Sequence, residues 1–332
     1  MTPTSHIPSP VSRRELAPFK VGRLGLVGAL GMAAATCALR TTPPVTAADP
    51  VHTAATSSTP SGAEPVAPGD PMQAGGAGGA GGEQKPGLAP LAAAEPLIEI
   101  EVADHGTAVV SLPLGATEAR PVLVATHGNY DRPDWTCAIW RSIVADDGFV
   151  LCPRGVVRAD SPSRSDPRFH YVTNLHLERE IEAALAALED RFADYVAPPP
   201  HVFAGFSQGA IMGVPIIGRQ PQWFDRAVLV EGGFDRWSRG GVEAFAAAGG
   251  KRVLFACGQW DCDRGAKTTG KWFESAGIES RVVFAKGAGH TYGGEVAELI
   301  AGAWSWVVAG DERWTSTTEA PPASEHPPTG SE

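Results

Sequence analysis

A serine within a glycine-rich segment is the strongest chemical signal in the sequence. Residues 205–209 read Gly-Phe-Ser-Gln-Gly, and this Gly-x-Ser-x-Gly pattern follows the apolar run 202–204 and precedes a helical pattern. A nucleophilic serine must project from a sharp strand-to-helix turn, and glycines two residues to either side remove the collisions that side chains would cause. The segment therefore predicts Ser207 as a nucleophile, with the backbone N–H of Gln208 at a helix N-terminus as an oxyanion donor.

A serine hydroxyl becomes a good nucleophile when a histidine takes its proton, and a carboxylate must orient that histidine. His290 lies in a Gly-rich loop, residues 286–294, between the last predicted strand and the last predicted helix. Two acids, Asp261 and Asp263, lie in the loop that follows the strand predicted at 253–256. The sequence predicts His290 as the base and one of these two aspartates as the acid.

A second backbone N–H is needed to stabilise an oxyanion. The segment after the third predicted strand reads Thr-His-Gly-Asn-Tyr-Asp over residues 126–131. A His-Gly pair followed by polar residues at the end of a buried strand suits that purpose. We expect the amide of Asn129 or Tyr130 to face the substrate. His127 itself is expected to have a structural role, with a role as base as the alternative.

Short apolar runs alternate with longer helical patterns, which indicates a mostly parallel sheet with helices on its faces. Strands are predicted at 97–102, 108–112, 122–126, 149–152, 202–204, 227–230, 253–256 and 281–284. A turn signal at 104–106 separates the first two strands and predicts an antiparallel hairpin at one edge. Helices are predicted at 177–195, from 207, at 266–275 and at 296–308. The predicted class is α/β, with a mostly parallel eight-stranded sheet and helices on both faces.

Taken together, these motifs resemble the α/β-hydrolase superfamily over roughly residues 97–309. The resemblance is to its compact branch of carboxylesterase/phospholipase-type acyl thioesterases, dienelactone hydrolases and polyester depolymerase-like esterases. Five motifs carry it in order: His-Gly at 127–128, Pro-Arg-Gly at 153–155, the segment 205–209, Gly-x-x-Asp at 258–261 and Gly-x-x-His at 287–290. The resemblance implies the chain order serine, acid, histidine, and its Gly-x-x-Asp spacing favours Asp261 over Asp263.

The function that the resemblance implies is hydrolysis of small-molecule or polymeric carboxylic esters or thioesters, without a cofactor or metal and without a large cap domain. A serine peptidase of the same fold is the alternative, because the triad does not distinguish esters from amides. An inactive binding module is a further alternative. The segment 156–174 should overhang the site. Four aromatic residues near strand ends are candidates for an acyl pocket, although most aromatics of such a domain belong to the core: Trp135, Trp140, Trp260 and Tyr292.

Composition divides the chain into four parts. Residues 1–47 combine basic residues, an apolar stretch and small residues near Ala47, which predicts a signal peptide and hence an exported, periplasmic or secreted protein. A membrane anchor and a lipoprotein site at Cys37 are the alternatives. Residues 48–96 are rich in Ala, Gly and Pro, and we expect a disordered linker there. Residues 97–309 form the predicted catalytic domain, and 310–332 form a predicted disordered tail.

The formal net charge is −10, with 37 acidic and 27 basic residues. Nucleic acids and anionic membranes bind basic surfaces, so this charge argues against both as partners. We expect no stable membrane span after removal of the signal peptide.

Four of the five cysteines follow the predicted signal peptide, an even number that makes two disulfides plausible in an exported chain. Sequence order and the proposed fold favour Cys137 with Cys152 and Cys257 with Cys262, although four cysteines allow three pairings. Buried reduced thiols are the alternative, and a zinc site is disfavoured because no Cys-x-x-Cys or paired-histidine spacing accompanies these residues.

Overall fold

The computed structural model of this protein describes residues 87–315. The strands in this range are β1 (Leu97–Val102), β2 (Gly106–Ser111), β3 (Val122–Thr126), β4 (Phe149–Cys152), β5 (Val156–Val157), β6 (Phe169–His170), β7 (His201–Phe206), β8 (Phe224–Val230), β9 (Arg252–Cys257) and β10 (Glu279–Phe284). The α-helices are α1 (Pro133–Val144), α2 (Asn174–Phe192), α3 (Gln208–Arg219), α4 (Arg239–Ala247), α5 (Trp260–Ser275) and α6 (Glu295–Val308).

Eight of these strands form one sheet in the order β1-β2-β4-β3-β7-β8-β9-β10. Strands β3, β4 and β7 to β10 are parallel to one another, whereas β2 is antiparallel to both of its neighbours. Strands β5 and β6 form a separate two-stranded hairpin. The predicted eight-stranded, mostly parallel sheet is therefore confirmed, and the β1–β2 hairpin lies at its edge as expected.

The apolar runs of the central strands are buried on both faces. In β3, Val122 and Val124 contribute to one hydrophobic cluster, while Leu123 and Ala125 contribute to the other, as the two-residue alternation of a strand requires. Helices α2 to α5 supply residues to the first cluster, and α1 and α6 supply residues to the second. Because β3, β4 and β7 to β10 are parallel, their carboxyl ends lie at the same edge of the sheet.

Two helices were not anticipated, and a third begins earlier than its pattern indicates. Helix α1 starts with Pro133 in its first turn. Helix α4 contains two glycines at 240–241, which weaken its local helical signal, and the side chain of Ser238 caps it by accepting a hydrogen bond from Gly241 N at 3.0 Å. Helix α5 begins at Trp260, six residues before the predicted start, so the segment that contains the two candidate aspartates is its first turn.

Described residues on either side of the predicted domain range 97–309 are also buried. Leu91, placed in the linker by composition, is buried, and its amide bonds to the carbonyl of Ala116 at 2.9 Å. Trp314, placed in the tail, is buried against Trp304. The predicted signal peptide, most of the linker, Cys37 and the end of the tail lie outside the described residues. No helix within 87–315 has the length and hydrophobicity that crossing a bilayer requires.

Candidate active site

Ser207 lies at the sharp turn between β7 and α3. Its backbone has φ 49° and ψ −110°, a conformation that costs energy for a residue other than glycine, and its amide bonds to the carbonyl of Val230 at 2.9 Å. A Cβ at Gly205 would lie 2.6 Å from the backbone nitrogen of Ala210, and one at Gly209 would lie 2.6 Å from the carbonyl oxygen of Thr126. Both glycines are therefore required for the close approach that the sequence pattern indicated.

His290 contacts the serine directly. Its Nε2 lies 2.8 Å from Ser207 Oγ, and its loop connects β10 to α6. The ring also packs against Phe206, with centroids 5.0 Å apart. The structure thus brings together the two residues that the sequence predicted as nucleophile and base.

Glu231 is the carboxylate that contacts the histidine. It follows β8 directly, its side chain is 1% exposed, and its Oε2 lies 3.2 Å from His290 Nδ1. Its Oε1 accepts hydrogen bonds from the backbone amides of Gly258 and Gln259, the latter at 3.0 Å. These amide donors offset the cost of burying the carboxylate and fix its orientation toward the imidazole.

The prediction of Asp261 as the orienting acid does not agree with this geometry. The side chain of Asp261 is 88% exposed and pairs with Arg264, and Asp263 is buried and pairs with Lys267. Neither has a hydrogen bond to His290 among the described residues. The reason is that α5 begins at Trp260, so that both aspartates lie in its first turn and point away from His290. The backbone amides of Gly258 and Gln259, just before the helix, donate to Glu231 instead.

A sequence signal for Glu231 does exist. Residues 231–233 read Glu-Gly-Gly directly after the seven buried residues of β8, the neighbour of the strand that precedes Ser207. A Cβ at Gly232 would lie 2.8 Å from the carbonyl oxygen of Ser207, so this glycine marks the strand end that adjoins the serine turn. An acid beside such a glycine is a candidate for the carboxylate that orients the histidine. The Gly-x-x-Asp spacing, in contrast, points only to the end of the next strand, β9.

Two backbone amides are suitable oxyanion donors. Among residues 87–315, the amides of Gln208 and Asn129 have no hydrogen-bond partner, whereas the amide of Tyr130 donates to the carbonyl of Phe169 at 2.9 Å. Gln208 opens α3, where the helix dipole favours negative charge. A Cβ at Gly128 would lie 3.5 Å from Ser207 Cβ, so the loop before Asn129 adjoins the serine. The geometry favours Asn129 over Tyr130.

His127 does not contact Ser207 Oγ but connects neighbouring loops. Its Nδ1 lies 2.7 Å from the carbonyl oxygen of Gly128 and its Nε2 lies 2.8 Å from that of Arg154. The ring is buried and stacks on Tyr171 at 4.5 Å between centroids. Burial lowers the pKa of His127, against the raising effect of the two carbonyls. These contacts fit the structural role that the sequence favoured.

A cleft of about 550 Å³ opens beside His290. Trp135, which is 44% exposed, lines it together with Tyr292, and the guanidinium of Arg168 lies 4.3 Å from the Trp135 ring. Burial and the nearby Asp131 carboxylate raise the pKa of Tyr292, whose hydroxyl donates to Asp131 Oδ1 at 3.2 Å. Tyr292 thus presents a neutral aromatic side chain to the cleft.

The remaining aromatic candidates lie elsewhere. Trp140 is a residue of α1 whose side chain is buried in the core. Trp260 is 60% exposed and packs against Phe284, outside the residues that line the cleft. The loop predicted to overhang the site carries the β5–β6 hairpin, and the side chain of Gln208 holds it through two hydrogen bonds to the backbone of Tyr171, at 2.9 and 3.1 Å.

Both favoured cysteine pairings are present in the structure. Cys137 in α1 pairs with Cys152 at the end of β4, with Cα atoms 5.9 Å apart, and Cys257 at the end of β9 pairs with Cys262 in α5, with Cα atoms 5.5 Å apart. The second bridge encloses the two amides that hold Glu231. Because its sulfurs are bonded to each other, the nearby cluster of Glu231 with this pair does not provide thiolate ligands for a metal.

No protein-family model matches the sequence, and no curated protein matches it. Solved structures show a distant likeness. A Thermus thermophilus protein is 16% identical with a TM-score of 0.47, over 64% of this chain and 98% of that one. Carboxyl esterase 2 from Tuber melanosporum is 12% identical with a TM-score of 0.46, over 63% and 85%. The fluorophosphonate-binding serine hydrolase F of Staphylococcus aureus is 12% identical with a TM-score of 0.45, over 64% and 97%. The fold assignment depends on the strand order described above.

Proposed function

We propose that this protein is a serine hydrolase that cleaves carboxylic esters or thioesters through an acyl-enzyme intermediate. The observation that carries the proposal is the hydrogen-bonded series Ser207, His290 and Glu231, with 2.8 Å between Oγ and Nε2 and 3.2 Å between Nδ1 and Oε2. These three side chains come from three different strand ends, and their contacts match the roles of nucleophile, base and orienting acid.

In the proposed mechanism, Ser207 Oγ attacks the substrate carbonyl carbon while its proton passes to His290 Nε2. The amides of Gln208 and Asn129 stabilise the resulting oxyanion. The tetrahedral intermediate collapses, and the leaving alcohol or thiol takes the proton from His290. Water then attacks the acyl-enzyme, with His290 as base again, to release the acid and restore the serine. Glu231 accepts the Nδ1–H hydrogen bond and so keeps that tautomer of the imidazole throughout.

The cleft beside His290 supports an apolar or aromatic substrate group. It is open to solvent, and its exposed aromatic residues Tyr130 and Trp135 offer flat faces that a short acyl or aryl group can contact. Arg158 and Arg168 lie against the faces of these rings, but Asp160 and Asp166 pair with them, so the charge of the rim is mixed. We infer that substrates with an aryl or short acyl group are preferred.

Export belongs to the same proposal. The two disulfides support it, because structural disulfides persist mainly in oxidising compartments. If the signal-peptide hypothesis is correct, N-terminal sequencing of protein recovered from the periplasm or medium gives a start close to residue 48. An uncleaved chain in the cytoplasm would contradict it.

A fluorophosphonate probe tests the reaction class. We expect stoichiometric labelling of the wild type and of Ser142→Ala, which removes an exposed serine on α1, and no labelling of Ser207→Ala. Folded wild-type protein that does not react with the probe would contradict the hydrolase proposal and favour a binding module. Comparing p-nitrophenyl acetate, octanoate and benzoate with an acyl thioester and a peptide anilide then separates esterase from peptidase, and we expect the anilide to be the poorest substrate.

A further inference from the structure

Three potential metal ligands converge outside the active site. His105 lies in the turn between β1 and β2, and His176 and Glu180 lie one helical turn apart on α2. Each offers one ligand atom, and the three atoms lie within 4.8 Å of one another. The spacing of four residues places both α2 ligands on the same face of the helix, opposite the turn.

These side chains have unused polar atoms. His105 Nδ1, His176 Nδ1 and Glu180 Oε2 are buried and have no hydrogen-bond partner within the described part of the chain. Glu180 Oε1, in contrast, accepts a hydrogen bond from Gly155 N at 2.7 Å, which fixes the carboxylate. A buried polar atom without a partner costs about 1–3 kcal/mol, so three in one cluster call for an explanation.

We propose that His105, His176 and Glu180 form a binding site for a divalent transition metal, with Zn²⁺ as the best match. Two imidazole nitrogens and one carboxylate oxygen are a ligand set that Zn²⁺ commonly accepts. A tetrahedral site with bonds of ~2.0–2.1 Å needs ligand atoms ~3.4 Å apart, so binding requires a small contraction of the cluster. The fourth position is available to water from an adjoining pocket of about 370 Å³ that His105 and His176 line.

The charges around the cluster are mixed. Asp104 and Glu180 contribute negative charge. The positive charge of Arg179 lies close enough to disfavour a charged His105, and the guanidinium of Arg154 lies against Gly106. The two arginines weaken attraction for a cation, so the directional donors rather than net charge would carry the affinity. This favours a transition metal that binds imidazole over Ca²⁺ or Mg²⁺, which depend on oxygen ligands.

The site would brace the scaffold rather than take part in the reaction. A metal would tie the β1–β2 turn to α2, and Glu180 already holds the amide of Gly155. The carbonyl oxygen of the preceding residue, Arg154, lies within hydrogen-bond distance of His127 Nε2. The expected consequence is a more stable domain with unchanged chemistry at Ser207, so this proposal is independent of the hydrolase proposal.

Calorimetric titration of Zn²⁺ into the untagged, chelator-treated full-length protein tests the site. We expect one saturable equivalent and an increase in melting temperature of about 5 °C at a Zn²⁺ concentration a hundred times Kd. The double variant His105→Ala/His176→Ala should lose that equivalent. His170→Ala, in which the removed histidine bonds to Val156 O and lies outside the cluster, should keep it.

Glu180→Gln provides a second variant that preserves side-chain shape, and we expect it to weaken Zn²⁺ binding at least tenfold even if the double variant does not fold. Absence of Zn²⁺ binding to the wild type would overturn the proposal. Equal affinity of the wild type and Glu180→Gln, or an unchanged equivalent in a folded double variant, would overturn it as well.

Discussion

The neighbouring strands β8 and β9 each have an acid after their carboxyl end, yet these two acids have opposite environments. Glu231 follows β8 immediately and is buried, with two backbone amides on one oxygen and His290 on the other. Asp261, four residues after the end of β9, is exposed and pairs with Arg264. Both strand ends lie at the same edge of the sheet, so proximity to that edge does not by itself define the orienting acid.

The difference shows what a carboxylate needs in order to orient a histidine. The acid must be near the histidine, and donors must compensate its charge where water is excluded. The end of β9 supplies the donors, through Gly258 and Gln259, and the end of β8 supplies the carboxylate that they bind. The two strand ends therefore make complementary contributions to the environment of His290.

The largest expected effect is that of Glu231→Gln. The amide that replaces the carboxylate cannot stabilise the imidazolium or maintain the tautomer, so kcat/KM for p-nitrophenyl acetate should fall ~10³–10⁴-fold. Asp261→Asn, which changes an exposed charge, should stay within about twofold of the wild type. A larger loss for Asp261→Asn than for Glu231→Gln would restore the end of β9 as the acid position.

A smaller loss is expected for Glu231→Asp, which keeps the charge but removes one methylene. The shorter side chain cannot accept from Gly258 and Gln259 and still reach His290, and a misplacement of about 1 Å costs up to ~10²-fold in rate. Steady-state kinetics should therefore show a decrease in kcat of about 10- to 100-fold. Wild-type kcat in this variant would indicate that the loop amides do not position the acid.

We expect both disulfides to stabilise the fold, but only the Cys257–Cys262 bridge to affect kcat. Replacing Cys257 and Cys262 with serine opens a loop of sequence separation 5, which should lower the free energy of unfolding by about 2 kcal/mol. The same change loosens the segment whose amides hold Glu231, so kcat should fall several-fold. Replacing Cys137 and Cys152, with separation 15, should cost about 3 kcal/mol and leave kcat unchanged. Urea unfolding and ester kinetics measure both quantities. Equal kcat in the two variants would show that the β9 bridge does not organise the site.

His201, at the start of β7, illustrates burial without sufficient compensation. It is 2% exposed, its Nδ1 has no partner among the described residues, and burial, aided by the charge of Arg313, lowers its pKa to about 4. In the unfolded chain His201 binds a proton as the pH falls below its ordinary pKa of about 6.5, whereas in the folded protein it does so only near pH 4. Because the unfolded chain binds the proton more tightly, the free energy of unfolding falls between about pH 6.5 and pH 4.

The expected contribution of His201 is a loss of about 2 kcal/mol in the free energy of unfolding between pH 7.5 and pH 5. Urea unfolding at the two pH values should show a correspondingly smaller loss for His201→Phe, which does not titrate. An identical pH dependence in the two proteins would mean that the histidine is not desolvated in the folded state.

The local sequence predicted the bounds of a strand well where an apolar run ends at clear turn residues. Strands β1, β3 and β4 have the predicted bounds because their apolar runs end at turn residues. Helix α4 was missed because its stability depends on Val242 and Phe245 packing into the core rather than on propensity. Composition placed Leu91 in the linker and Trp314 in the tail, and only their tertiary contacts reveal that both side chains are buried.

The sequence alone determined the serine turn, since Gly205 and Gly209 satisfy a steric requirement within a few residues, and it determined the position of His290 in the loop before the last helix. The tertiary structure alone decided which acid faces that histidine. The contact between Glu231 and His290 joins residues 59 positions apart, and its donors come from a third strand. Sheet order and the start of α5 set this arrangement, and spacing along the chain does not encode it.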